Sequence, residues 1–348
     1  MVYFAVGIDL ECCCLKAYIK NIAYYLPENV EENPLGRLRK KTGIHRRHIC
    51  EKNEIASDLA IKAAEKIFAD GVNRSQVEMI MLCTQSPDYF LPTTACVLQD
   101  KLGLPKSCGA LDFNLGCSGY IYGLSLAKGI IESGQARNVL LLTAETYSKY
   151  INEQDHSVKP LFGDGATATF IDGVETDIAG IDGLVFGTDG SGYQNLIVPA
   201  GGMAKPYGIS AGLESEDEYG NIRTEFNIHM NGSAISEFAL DVVPDTVNKI
   251  FAKTGRSRDD IGYFVFHQAN KFMLEYLQHK CDLMNYPYWN DVAEYGNTVS
   301  SSIPIAICDM LKQDRPDKPW IMSVGFGVGL SWGGCLMNIQ YANAHTDA

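Results

Sequence analysis

The feature that most constrains this chain is an internal repeat of about twenty residues. Residues 66–85 read KIFADGVNRSQVEMIMLCTQ, and residues 249–268 read KIFAKTGRSRDDIGYFVFHQ. Each copy has the pattern of a helix end, a polar turn and an apolar strand. Similar segments that far apart indicate that one structural unit occurs twice in the chain.

The elements after each copy keep the same spacing, which chance similarity would not produce. Gly116-Cys117 opens a helical pattern in the first half, and Gly296-Asn297 opens one in the second. Apolar strands then follow at 137–145 and at 318–326. We therefore predict two copies of one α/β unit, with parallel strands buried by helices on both faces.

The repeat sets the predicted domain boundaries. The Gly- and Asp-rich segment near 175–180 separates a first half, 16–177, from a second half, 178–348. Residues 1–15 precede the first apolar strand pattern and are predicted to be an N-terminal extension.

The acidic composition argues against one large class of partners. With 42 acidic and 29 basic residues the formal charge is −13, whereas binding a nucleic-acid backbone needs a basic face. We expect no membrane span, because no run of about 18 apolar residues occurs. The N-terminus lacks the basic region and cleavage site of a signal peptide. These observations favour a cytoplasmic protein.

The cysteines predict neither a disulfide framework nor a metal site. There are 11 of them, an odd number without a repeating spacing, which favours reduced thiols. The run ECCC at 11–14 has no second cluster at ligand spacing. We expect no bound metal and no cofactor.

Cys117 is a candidate nucleophile because it lies at a predicted turn from strand to helix. A helix N-terminus favours an anion, and so predicts a lowered pKa for the thiol. A backbone amide there can donate to an oxyanion, and such a sharp turn predicts backbone strain. The alternative is a buried core cysteine, a common fate of free thiols.

His267 and Asn297 follow equivalent strand ends, where open parallel sheets bind ligands. We predict that both converge with Cys117 on a crevice between the halves. Each has a simpler alternative as the N-cap of the helix that follows it.

Together these motifs resemble those of the β-ketoacyl-[acyl-carrier-protein] synthase III family. The motifs are GCSGYIYGLSLAKGIIESG, LFGDGATATF, HQAN, YGNTVSSSIP and GFGVGLSWG, in that order. The resemblance runs from Tyr18 to Ile339. It implies the thiolase-like α/β fold, five layers in the order α-β-α-β-α built from two duplicated halves, and a homodimer.

The resemblance also implies a reaction. Cys117 would take an acyl group from a thioester, and His267 and Asn297 would hold the carbonyl of a malonyl-type thioester. Loss of carbon dioxide would leave a carbanion that attacks the acyl-cysteine, giving a 3-oxoacyl product by ping-pong kinetics. Acyl-CoA or an acyl carrier protein would deliver these groups as substrates.

Five further residues match the family's substrate-binding positions. The backbone amides of Val328 and Cys117 would form an oxyanion hole, and Leu91 would close the acyl pocket across the dimer. The other three matches are Phe326, Gly232 and Asn270.

Two related families on this fold differ at decisive positions. Hydroxymethylglutaryl-CoA synthase uses a glutamate as general acid where this chain has Gln85, and an amide cannot deliver that proton. Degradative thiolases use a second cysteine that the segment IMSVGFG lacks. A Cys-His-Asn set favours decarboxylating condensation.

Several departures from the family pattern concern the donor. Arg37 replaces a tryptophan that stacks on the CoA adenine, and His156 replaces its arginine partner. Glu237 and Phe272 replace basic residues that receive the acidic carrier protein, although Lys271 is adjacent to the second. These changes disfavour CoA as donor and the usual carrier docking.

The departures, together with a longer acidic loop at 211–225, predict a specialised paralogue rather than the initiator of fatty-acid synthesis. The alternative function is acyl transfer from Cys117 to a hydroxyl or amine in a secondary-metabolite or glycan-modification pathway. A non-catalytic partner subunit is a third hypothesis, which the intact Cys-His-Asn set disfavours.

Overall fold

The structure is a computed structural model that describes residues 15–345. The strands, in chain order, are β1 (Leu15–Tyr25), β2 (Val30–Glu32), β3 (Arg46–His48), β4 (Met79–Cys83), β5 (Gly109–Phe113), β6 (Asn138–Glu145), β7 (Gly165–Glu175), β8 (Ile181–Thr188), β9 (Leu196–Ile197), β10 (Ser215–Glu216), β11 (Ile222–Arg223), β12 (His229–Met230), β13 (Ile261–Phe264), β14 (Trp320–Gly327), β15 (Ser331–Asn338) and β16 (Asn343–Ala344). The helices are α1 (Arg37–Thr42), α2 (Ala56–Ala69), α3 (Thr94–Lys101), α4 (Gly119–Glu132), α5 (Gly232–Thr254), α6 (Lys271–Lys280), α7 (Val292–Tyr295) and α8 (Ser302–Gln313).

Two large sheets alternate with three helical layers. The first sheet has the strand order β16-β1-β7-β6-β4-β5, and the second has the order β13-β14-β15-β8. Helix α2 packs on the outer face of the first sheet, α4 lies between the sheets, and α5 packs on the second. The predicted α-β-α-β-α architecture is confirmed.

The hydrophobic core is centred on the middle helical layer, as the apolar sequence of α4 indicates. Helix α4 buries residues on several sides, among them Tyr120, Ile121 and Leu124, and packs against strands of both sheets. A helix that is apolar on most of its surface needs such a two-sided environment. Strand β6 is buried along its whole length, as expected of a strand covered by helices on both faces.

The predicted parallel strands are present, but they make up only part of each sheet. Strands β4, β5 and β6 are parallel, but β7 pairs antiparallel with β6, and β15 pairs antiparallel with β14. The reason is that no crossover helix follows β6 or β14, so the chain returns beside the strand that it has just left.

The second half is also less regular than the repeat predicted. The strand expected before Asn297 is reduced to one parallel bridge between Phe264 and Tyr288. Between the halves, β7 ends at Glu175 and β8 begins at Ile181, on either side of the predicted boundary. The C-terminal strand β16 returns to pair with β1 of the first sheet.

Some predictions fall at the edge of the described chain. Residue 15 already belongs to β1, whereas the rest of the predicted extension, including the ECCC run, lies outside the described residues. From residue 15 to residue 345, no helix combines the length and the apolar character that crossing a bilayer requires. In the same range no cluster of His, Cys, Asp and Glu side chains could hold a metal ion, and eight free cysteines occur.

Candidate active site

Cys117 lies in the turn between β5 and α4, and the backbone around it is tightly packed. A Cβ atom on Gly116 would lie 2.7 Å from Gln85 Oε1 and 2.7 Å from Val328 Cγ1. A Cβ on Gly327 would lie 3.0 Å from the Cys117 sulfur. The two glycines therefore let the end of β14 approach the thiol closely.

The expectation of a lowered thiol pKa was wrong. Cys117 is only 4% exposed, and burial raises its pKa, with a further increase from the Glu145 carboxylate. Hydrogen bonding from its own backbone amide opposes this change but does not overcome it. Removal from water outweighs the helix N-terminus, so the free enzyme holds the thiol form.

The expected backbone strain also lies elsewhere. Among the described residues the non-glycine positions with positive φ are Asp282 and Val299, and Cys117 is not one of them. Val299, with φ 55°, lies two residues after Asn297. The strained turn is thus the one that presents the amide side chain, in the second half of the molecule.

His267 lies just beyond the end of β13, and its contacts hold the side chain in one orientation. Its Nδ1 lies 2.6 Å from the Ser302 hydroxyl, and its ring meets that of Phe326 edge-on at 5.4 Å between centroids. The side chain is 2% exposed, and burial lowers its pKa to about 3. The imidazole is therefore neutral, and a Ser302 hydroxyl that donates to Nδ1 leaves the proton on Nε2.

Ser302, the first residue of α8, was missed by the sequence reasoning. It belongs to the run Ser300–Ser302 in the YGNTVSSSIP motif, which looked like polar helix-start sequence. Its helical position opposite a strand-end histidine could not be read from spacing, because the two residues are 35 positions apart.

The side-chain oxygen and the side-chain nitrogen of Asn297 have different roles. Its Oδ1 accepts a hydrogen bond from the Val299 backbone amide at 2.9 Å, and its backbone N–H donates to Leu161 O. No acceptor in residues 15–345 engages Nδ2. The carbonyl half anchors the turn, and the NH₂ half stays available as a donor.

The N-cap alternatives are resolved separately for the two residues. Asn270, not His267, caps α6 by accepting from the Met273 amide. Asn297 does make a local turn contact, but it uses only its oxygen.

One cavity of about 580 Å³ brings the predicted catalytic set together. Cys117, His267 and Asn297 all line it. Of the predicted substrate-binding residues, Gly232, Asn270 and Phe326 line it as well. Val328 packs in the hydrophobic cluster that contains Cys117. Leu91 does not line the cavity; it is 87% exposed and lies on the surface, so it is not an ordinary buried leucine of the core.

A buried carboxylate behind the nucleophile was also missed. Glu145 ends β6 and accepts hydrogen bonds from the Gln85 backbone amide at 3.1 Å, from Ser86 Oγ at 3.2 Å and from Ser300 Oγ at 2.8 Å. Burial raises its pKa to about 8. The acidic residue at the end of a strand with the apolar run 139–142 was the available signal. Through its hydrogen bond with Ser300, Glu145 links β6 of the first half to the helix start that follows Asn297.

Gln85 lies beside the nucleophile, and both ends of its side-chain amide make hydrogen bonds. Its Oε1 accepts from the Tyr147 hydroxyl, and its Nε2 donates to Asn114 Oδ1 at 3.0 Å. The Gln85 side chain packs against the turn that contains Cys117. As an amide it has no proton to deliver as an acid.

The family departures lie around the outer part of the cavity. Phe272 lines the cavity and is half-exposed, while Arg37, His156 and Glu237 are on the surface. The acidic loop forms the β10–β11 hairpin, which an Arg223–Asp155 ion pair holds against residues 152–158.

Comparison with known proteins gives the family. Two family models match, for 3-oxoacyl-[acyl-carrier-protein] synthase III over residues 111–190 and for its C-terminal part over residues 251–339. The β-ketoacyl-[acyl-carrier-protein] synthase III of Clostridium perfringens is 36% identical over 326 residues, which are 90% of this chain and 97% of the relative. The chain belongs to the β-ketoacyl-[acyl-carrier-protein] synthase III family.

Solved structures agree with this assignment. A 2.1 Å crystal structure of a 3-oxoacyl-(acyl-carrier-protein) synthase III matches with a TM-score of 0.91 and 47% identity, covering 93% of this chain and 99% of the other. The 3-oxoacyl-(acyl-carrier protein) synthase of Burkholderia xenovorans matches with a TM-score of 0.84 and 35% identity, covering 95% and 96%. The chain has the thiolase fold and is a condensing acyltransferase of this family.

Proposed function

We propose that this chain condenses a Cys117-bound acyl group with a malonyl-type thioester, releasing carbon dioxide and a 3-oxoacyl product. The observation that carries the proposal is the shared cavity. A buried thiol and two neutral side chains with N–H groups line one space of about 580 Å³.

The acylation step uses the packed turn. The Cys117 sulfur attacks the thioester carbonyl, and the amides of Cys117 and Val328 donate to the oxyanion. Because the thiol is protonated at rest, its proton leaves with the departing thiol of the donor. The acyl-cysteine carries no charge, which suits a buried site.

The condensation step uses the two donors. Breaking the bond between the malonyl carboxylate and its methylene carbon releases carbon dioxide and leaves an enolate. His267 Nε2–H and Asn297 Nδ2–H donate to the enolate oxygen, and both remain neutral throughout. The enolate carbon forms a bond to the acyl carbon, and Cys117 departs as a thiolate that regains a proton.

The substrates and assembly of the relatives support the remaining proposals. The relatives are named for an acyl carrier protein, and we propose such a carrier as one donor here, in a cytoplasmic homodimer. Strand β5 is an edge strand of the first sheet, and one of its two sides has no neighbouring strand. Leu91 is exposed just before α3, the helix that packs on β5. A second copy would cover both. Leu91 would then reach the partner's acyl pocket.

Carbon dioxide release distinguishes this function from acyl transfer to a hydroxyl or an amine. With an acyl thioester and a malonyl thioester labelled in its free carboxylate, we expect one labelled carbon dioxide per 3-oxoacyl product. Asn297→Asp should lower this release by about 100-fold or more, because a carboxylate repels the enolate. Product that forms without labelled carbon dioxide would refute the proposal.

A further inference from the structure

Helix α1 carries three basic side chains that have no acidic partner. No carboxylate in the described chain forms an ion pair with Arg37, Lys40 or Lys41, whereas Arg39 lies 3.7 Å from Glu32. The protein as a whole has a formal charge of −13. Around this uncompensated cluster the electrostatic potential is positive, although the protein as a whole is acidic.

The cluster borders the entrance of the active-site cavity. Lys41 lines the cavity that ends at Cys117, and α1 packs against α6 beside it. Lys40 lines a second hollow of about 910 Å³ on the other side of the helix. Ligands that enter the cavity from this side therefore pass Lys41, and Lys40 lies on the adjacent face of the same helix.

An exposed apolar residue lies next to these charges. Leu35 is 88% exposed and also lines the second hollow, and Leu38, in the first turn of α1, lines the cavity. Apolar side chains surrounded by cations fit a protein surface with an apolar strip and acidic flanks, whereas a lone phosphate would need only the cations.

The neighbouring α6 face is not suited to the same partner. Lys271 lies 3.6 Å from Glu275, Phe272 occupies the next position, and Glu237 is exposed on α5. Carboxylates here would repel an acidic protein. Among the described lysines that line the cavity and the second hollow, those without an acidic partner are Lys40 and Lys41 on α1.

We infer that α1, with Leu35, Arg37, Lys40 and Lys41, is the docking surface for an acidic carrier protein. The malonyl thioester that the carrier presents enters the cavity past Lys41. This inference rests on the proposed function and names the surface that receives its donor.

A charge reversal on α1 tests the inference against a matched control. The test variant is Arg37→Glu with Lys40→Glu. The control, Lys249→Glu with Lys318→Glu, changes the net charge equally. Lys249 lies near the far end of α5, and Lys318 precedes β14, at the end of that strand away from Gly327 and Cys117. Steady-state KM is measured for malonyl-loaded carrier protein, malonyl-CoA and malonyl-pantetheine.

We expect KM for the loaded carrier to rise about tenfold in the test variant, with KM for malonyl-pantetheine and for malonyl-CoA unchanged. The control variant should match the wild type with all three donors. An equal rise for malonyl-CoA would assign the cluster to nucleotide phosphates, and an unchanged carrier KM would remove it from docking, so either result overturns the inference. A wild type that turns over none of the donors would refute the proposed function itself.

Discussion

The Ser302 hydroxyl lies 2.6 Å from Nδ1 of His267, and by donating to that nitrogen it would hold the ring proton on Nε2. An imidazole with its proton on Nδ1 would present a lone pair to the enolate oxygen and repel it. The buried hydroxyl therefore positions His267 without contacting substrate. This contact could not be predicted from sequence, since it depends on how α8 packs against the extension of β13.

We predict that Ser302→Ala slows release of carbon dioxide from malonyl thioester by about tenfold, the effect of losing one buried hydrogen bond. Acylation of Cys117 should keep its wild-type rate, because it does not use Nε2. Ser302→Thr should restore most of the decarboxylation. Equal losses in both steps would indicate a general packing defect instead.

The neutral state of His267 predicts a pH dependence of stability. Its pKa falls from 6.5 to about 3 on folding, so between these values the unfolded chain binds one more proton. Stability should decrease as pH falls through this range, by up to about 5 kcal/mol from this group.

Urea unfolding at pH 7, 6, 5 and 4 measures this contribution. His267→Asn should reduce the pH slope of unfolding free energy by about 1.4 kcal/mol per pH unit. His279→Asn, a surface substitution on α6, is the control and should keep the wild-type slope. An unchanged slope in His267→Asn would mean that this histidine is not held neutral.

At the scale of elements, the turn between β5 and α4 depends on the missing side chain of Gly116. A Cβ there would meet Gln85 Oε1 and Val328 Cγ1 at 2.7 Å each, so both neighbours of the nucleophile would have to move. By contrast, a Cβ atom on Gly129, which lies within α4, would point into open space.

We therefore predict opposite effects from two alanine substitutions. Gly116→Ala should abolish most acylation of Cys117 and destabilise the fold by about 1–3 kcal/mol through overpacking. Gly129→Ala should retain activity and stabilise α4 by about 0.5–1 kcal/mol, because alanine favours helix. Thermal unfolding and acylation rates measure both. Normal acylation in Gly116→Ala would contradict the described turn.

The same elements show what the sequence could predict. The repeat predicted α2–β4 and α5–β13 with their order, because apolar periodicity and polar turns are local signals. The antiparallel strands β7 and β15 were missed, because their direction follows from the absence of a crossover helix after β6 and after β14. Cys117, His267 and Asn297 were predicted from strand ends, whereas the thiol pKa was wrong because the extent of burial is a tertiary property.

At the scale of the whole molecule, the unpaired edge of β5 and exposed Leu91 predict a dimer of identical chains. Leu91→Asp should shift sedimentation from dimer to monomer and lower activity, because a carboxylate would be buried at the interface without a partner. Lys318→Glu, at an exposed position before β14 of the second sheet, is a surface-charge control. A wild-type chain that sediments as a monomer would contradict the proposed assembly.

Both halves of the molecule contribute to one reaction, Cys117 from the first and His267 with Asn297 from the second. The central claim is that an acyl group resides on Cys117 and leaves it by condensation. Intact-protein mass spectrometry follows both events in one sample, first with an acyl thioester and then with added malonyl thioester.

The account predicts one acyl mass on the Cys117 peptide, which disappears on addition of malonyl thioester as a 3-oxoacyl product forms. Cys117→Ala should gain no acyl mass, and Asn297→Asp should gain it but fail to discharge it. An acyl mass that persists in Cys117→Ala, or one that malonyl thioester leaves in place on the wild type, would contradict the account.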